Sequence, residues 1–199
     1  MVSYKDINKY ENYGSWALWS RINKNKYEKG KDRTKGIADI TIFKENIKDL
    51  INTDIAFVGL NCSKEIVNKY ENFHSSWQDG RIRYAIQDTI FSGAYMTDII
   101  KYTESNSVKV NKYLKDNPDV KKKNIELLEH ELQNIGVKTI IAFGNKAYDL
   151  IKKEQEINMK FKKCEIYKVI HFSNQQKNGH IKLKNDIENL QTKLIDKPN

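Results

Sequence analysis

Cysteine and proline are scarce in this 199-residue chain, with two of each. Cys62 and Cys164 stand about a hundred residues apart with no CxxC or paired-histidine motif beside them, which excludes a disulfide framework and a zinc module and points to a reducing compartment. No stretch approaches the roughly 20 apolar residues of a membrane-spanning helix. The first residues, MVSYKDINKYENYGSWALW, carry acidic groups and no unbroken apolar run. Neither a secretory signal nor a transit peptide is expected there, and the cytoplasm is the expected location. The nine glycines form neither GxGxxG nor GxxxxGKS/T, so a nucleotide or nucleoside hydrolase would lack its phosphate-cradling loop.

What the chain does have is a net charge of +9, with 39% hydrophobic and 31% charged residues. That is the composition and length of a soluble globular protein with one core. Clustered positive charge attracts phosphate, yet arginine occurs at only Arg21, Arg33, Arg81 and Arg83 among many Lys, Asn and Ile. AT-rich coding produces the same bias, so charge alone does not choose nucleic acid as the partner.

Residues 1–36 read as a polar, lysine-rich N-terminal arm ending in the loop-like KNKYEKGKDRTKG. Within it Tyr10, Tyr13, Trp16 and Trp19 recur at near-helical spacing. They form either an aromatic face packed on the body or an exposed platform for stacking bases. Residues 37–199 then alternate between α and β patterns. Ile40, Phe43, Ile47 and Leu50 fit one helix face; Asp119–Ile135 and Ile181–Ile195 fit two more, the former ended by Gly136. Asn145 is placed to cap a further helix. Continuous apolar runs at 54–60, 94–100, 137–144 and 165–171 suggest strands covered on both faces. The expected fold is a single-domain three-layer α/β/α sandwich around a four-stranded parallel sheet. Ligands of such sheets bind beyond the carboxyl ends of the strands, which here means Gly59-Leu60-Asn61-Cys62-Ser63, Asp98, Gly144-Asn145-Lys146 and His171-Phe172-Ser173-Asn174.

Those strand-end segments resemble the uracil-DNA glycosylase superfamily, in particular its mismatch-specific and thymine-DNA glycosylase-like branches. Gly59-Leu60-Asn61-Cys62-Ser63 is similar to the family's first motif, GxNPG/S. His171-Phe172-Ser173 is similar to its second, HPS, 110 residues beyond Asn61. Gly93–Asp98 and Ile140–Tyr148 resemble the intervening strands, so the likeness covers about residues 54–176. It departs from the family where Cys62 and Phe172 replace the two motif prolines, each of which would fix a turn.

The resemblance implies hydrolysis of an N-glycosidic bond in DNA through an oxocarbenium-like transition state, with no metal or organic cofactor. Asn61 would hold the water and His171 would donate to the departing base. An amide takes up no proton near neutral pH, so Asn61 cannot be a general base. Gly59, Leu60, Phe73 and Asp98 would surround the extruded base, with Phe73 stacked on it. An ionised Asp98 accepts hydrogen bonds only, which favours an exocyclic amine over the O4 of uracil; a protonated one would reverse the preference. Ser63, Arg81, Arg83, Lys146, Ser173, Asn174 and Gln175 are the expected DNA contacts. The segment Asn174-Gln175-Gln176-Lys177 is polar where relatives insert a bulky wedge, which suits single-stranded or already distorted DNA. Repair and defence against foreign DNA both fit. The alternative is a module that retains the fold and binds a base, nucleotide or nucleic acid without cleaving it.

Overall fold

The computed structural model describes residues 9–101, 107–176 and 178–197. Its elements in chain order are β1 (Ser15–Trp16), α1 (Lys24–Glu28), a 3-10 turn (Thr41–Lys44), β2 (Asn52–Asn61), α2 (Asp79–Ile86), β3 (Ala94–Ile100), α3 (Ser107–Asp116), α4 (Pro118–Ile135), β4 (Thr139–Phe143), α5 (Gly144–Asn158), β5 (Glu165–Val169) and α6 (Gly179–Ile195). The sheet order is β1-β3-β2-β4-β5. The last four strands are parallel, as the apolar runs predict. The sheet has five strands rather than four, because Ser15 and Trp16 pair antiparallel with Met96 and Tyr95 at the β3 edge.

Side chains alternate between two cores. Ala56 and Val58, Tyr95, and Ile140 and Ala142 face one layer with Ile125, Leu128 and Leu132 of α4 and Ala147 and Ile151 of α5. Ile55 and Phe57, Met96, and Ile141 and Phe143 face the other, with Ile82, Ala85 and Ile86 of α2 and Leu183 and Ile187 of α6. Burial on both sides is why β2, β3 and β4 read as unbroken apolar runs; the same expectation for 165–171 is corrected, because β5 is an edge strand with Glu165 and Lys168 exposed. Among the described residues no helix is long and apolar enough to cross a membrane.

Several local expectations are corrected. The aromatic repeat of the arm is not a helix: Tyr10 sits in a turn, Trp16 lies in β1, and both are buried in the first core. Residues 1–8 of the arm lie outside the described residues. Within the lysine-rich stretch, Asn23 caps the short α1 by accepting from the Lys26 N–H. The 40–50 segment makes only a 3-10 turn. Asp39 accepts from the Thr41 N–H and Asn46 from the Lys48 N–H, local bonds that compete with helix formation. Gly136 does end α4, at φ 87°. Asn145 caps nothing, because α5 already begins at Gly144.

Candidate active site

Where the parallel strands end, their last residues meet in a cleft of about 550 Å³. Asn61 closes β2, Asp98 stands two residues before the end of β3, Gly144 follows β4, and His171 lies two residues beyond β5; all four line the cleft. Gly59, Leu60, Ser63, Phe73, Lys146 and Ser173 line it as well. Two glycines make room for this convergence. Gly59 is opposite Asp98 in the β2–β3 register, and a Cβ there would collide with the carboxylate. Gly144 turns the chain at φ +81°, and a Cβ on it would lie 3.1 Å from that of His171.

Asp98 is buried, with its Oδ2 accepting from Asn72 Nδ2 at 3.0 Å. The same Nδ2 donates to the Tyr13 carbonyl at 2.8 Å, so the amide is held from two sides. Burial pushes the carboxyl pKa up to about 6; the Asn72 hydrogen bond and the Lys101 ammonium oppose the rise. The group is thus mostly ionised at neutral pH and protonated in mild acid.

His171 is oriented by its own loop. Ser173 Oγ lies 2.7 Å from Nδ1, and the Ser173 N–H donates to Nδ1 at 3.2 Å. A nitrogen that accepts from a backbone N–H carries a lone pair, which puts the proton of the neutral ring on Nε2. Burial, and secondarily the Lys146 charge, hold the imidazole pKa below its ordinary value. The ring is therefore a neutral Nε2–H donor.

Asn61 is half-buried, and its Nδ2 donates to the Cys62 carbonyl at 3.3 Å. Its amide oxygen can orient a water by accepting a hydrogen bond, without removing a proton. Both replacements of the motif prolines have packing roles. Cys62 is buried, its Sγ donates to the Lys64 carbonyl at 2.7 Å, and burial pushes the thiol up to about 11, so it is a neutral packing group rather than a nucleophile. Phe172 stacks on His171, ring centroids 4.6 Å apart, and meets Phe143 edge-on at 5.1 Å. Phe73 completes this aromatic wall, 5.9 Å from Phe172 and 6.2 Å from Phe143. Phe73 adopts φ +64°, a left-handed conformation that a bulky residue enters only under constraint from its surroundings and that clusters at ligand sites.

The expected DNA contacts divide. Ser63 and Lys146 are exposed on the cleft, and Gln175 is exposed on the loop after β5. Lys177 lies outside the described residues. Arg83 is corrected: it is 2% exposed, and its Nη1 donates to the Lys35 carbonyl beneath the N-terminal segment, so DNA phosphate cannot reach it there. Arg81 is engaged by protein, with its Nη1 donating to the carbonyls of Phe172 at 3.1 Å and Asn174 at 2.6 Å. It brackets Ser173, the residue that sets the His171 tautomer. Replacing Arg81 with alanine leaves both carbonyls without this charged donor and is expected to cost about 2 kcal/mol of stability, read as a lower urea midpoint at unchanged slope.

Asn72, Phe143 and Asp79 line the cleft with no signal in the sequence, whereas Phe172 belongs to an expected strand-end segment but carries no expected role. Asp79 accepts from the N–H groups of Ser75 and Ser76 at 3.0 and 2.7 Å and shapes the loop over the cleft. Phe172 was visible as the residue in proline's place; nothing in the spacing of Asn72 or Asp79 marks them.

A cleft across the carboxyl ends of parallel strands, with polar groups on its floor and aromatic rings on its wall, is the architecture of a ligand-handling α/β enzyme domain. Residues 45–194 match the family model for the Uracil DNA glycosylase superfamily, and the chain belongs to that superfamily. Its members are in general DNA glycosylases, hydrolases whose fold implies a DNA substrate. A search of curated proteins found no match to the chain.

Proposed function

We propose that the protein is a monofunctional DNA glycosylase that releases an extruded base bearing an exocyclic amine, unmodified or modified, in DNA repair or in defence against foreign DNA. The observation that carries this reading is that Asp98, Asn61 and His171, the last a neutral Nε2–H donor, line one cleft of about 550 Å³. The C1′–N bond breaks with its electron pair going to the base, and His171 stabilises the charge that develops on the base carbonyl. Water held by Asn61 forms the new C1′–O bond and gives its proton to solvent, and the departed base anion takes a proton back. Without a general base the leaving group supplies much of the driving force. Phe73 stacks on the extruded base, and Asp98 accepts from its amine.

The test is mass-spectrometric detection of free base from single- and double-stranded oligonucleotides and modified DNAs, with Asn61→Ala as control. Release of an amino-bearing base that is suppressed in the variant is expected. Strong release of uracil with no release of any amino-bearing base overturns the Asp98 assignment. Nucleoside binding without release from any substrate identifies a recognition module instead.

The Asp98 pKa adds a pH signature. As pH falls through about 6 the carboxyl becomes a donor, so the ratio of amino-base to carbonyl-base release should fall. Asp98→Asn should flatten that ratio. The folded carboxyl binds its proton up to about pH 6, whereas an ordinary one releases it near 3.8. Stability contributed by Asp98 is therefore full below about 3.8 and declines as pH rises to 6, by about 3 kcal/mol in all. Asp98→Asn should remove that decline, measurable as the pH dependence of the urea midpoint.

A further inference from the structure

Of the three tryptophans, Trp16 is fully buried and Trp19 is half-buried, whereas Trp77 is 49% exposed. Its chain neighbours Ser76 and Gln78 line the cleft while Trp77 itself does not, so the residue lies just outside it. The Arg81 guanidinium lies over one side of the ring, 4.7 Å from its centroid. That guanidinium is in turn fixed by the carbonyls of Phe172 and Asn174. The indole is therefore held against the loop that carries His171, and its exposed surface is neither collapsed into the core nor loose. An aromatic plane backed by a cation, beside a cleft with Lys64 and Lys146 on its wall, is the arrangement that binds unpaired bases and the phosphates between them.

We propose that Trp77 is a stacking platform for an unpaired nucleobase next to the one held in the cleft, and that this subsite makes single-stranded DNA the preferred substrate. The inference rests on the glycosylase reading for its register and adds strandedness to it. In a duplex the neighbouring base is already stacked and paired, so the indole gains little. In a single strand its π-face is available, and stacking tolerates any base. The polar Asn174-Gln175-Gln176 segment supplies no apolar wedge, so the platform holds a strand that is already open instead of prying one apart.

Tryptophan emission tests this directly, because Trp77 is the exposed reporter. A short oligothymidylate should quench the emission of the full chain, and the matching oligothymidylate–oligoadenylate duplex should quench it much less. Trp77→Ala should abolish the quenching and weaken single-strand binding about tenfold or more by fluorescence anisotropy. Trp77→Phe should keep binding within a few-fold while losing the optical signal. Circular dichroism of both variants checks that they fold. Absence of quenching, equal quenching by single strand and duplex, or unchanged affinity in Trp77→Ala overturns the proposal. Base release is scored separately: quenching without release from any substrate would sink the glycosylase reading and leave the stacking site standing, and release without quenching would do the reverse.

Discussion

His171→Ala lowers the single-turnover rate of base release by roughly 10²–10³-fold with little change in DNA affinity, the loss expected for one donor aimed at charge that forms in the transition state. The size follows from the setting. The imidazole is half-buried among Phe172, Gly144 and Ser173, and a hydrogen bond to a developing anion strengthens when water is excluded. His171→Gln keeps an N–H donor and should recover part of the rate. Because burial and Lys146 hold the imidazole pKa below its ordinary value, the active form is the neutral ring. Its protonation would also take away the acceptor of the Ser173 N–H. A rate that rises as pH falls from 7 to 6 in the wild type, but not in His171→Gln, would mean that an imidazolium donates and would refute the tautomer assignment.

The same residue shows what the sequence could and could not disclose. Four apolar runs mark the four parallel strands, and the rule that ligands bind beyond strand carboxyl ends points to Asn61, Asp98 and His171. The fifth strand was illegible because Ser15-Trp16 is too short for a period of two and pairs with Tyr95 and Met96, far along the chain. The helix expected at 40–50 failed because Asp39 and Asn46 turned the backbone through bonds that apolar spacing does not record. Arg83 looked like a phosphate ligand because sequence carries no burial for a residue on a helix enclosed on nearly every side. The Asn72 clamp on Asp98 depends on a loop returning over β3, and the left-handed Phe73 packs against Phe143 and Phe172, far along the chain; neither leaves a local pattern.

Behind the cleft, an ion pair sets up the largest stability effect. Lys101 Nζ lies 2.6 Å from Glu131 Oε2, with side chains 8% and 0% exposed. The ammonium also donates to Thr97 Oγ1 at 2.6 Å and the Asp98 carbonyl at 2.8 Å, while the Tyr95 hydroxyl donates to Glu131 Oε1 at 2.5 Å. Glu131→Ala leaves a buried ammonium without its counter-charge, at an expected cost of 3–5 kcal/mol and a fall of about 6–20 °C in Tm for a domain of this size. Lys101→Met strands the carboxylate and should cost a similar amount. Replacing both with apolar residues, Lys101→Met with Glu131→Leu, should return most of the loss, since a buried pair and a well-packed apolar substitute are close in free energy. The two charges act on Asp98 with opposite sign, Lys101 lowering its pKa and Glu131 raising it. Lys101→Met alone should therefore move the crossover in base preference to higher pH, Glu131→Ala should move it lower, and the double variant should leave it near that of the wild type. A double variant as unstable as either single one would show that the pair holds α4 to β3 by geometry that apolar packing cannot replace. A crossover that follows stability instead of the sign of the removed charge would show that Asp98 responds to loosening of the strand end and not to the field behind it.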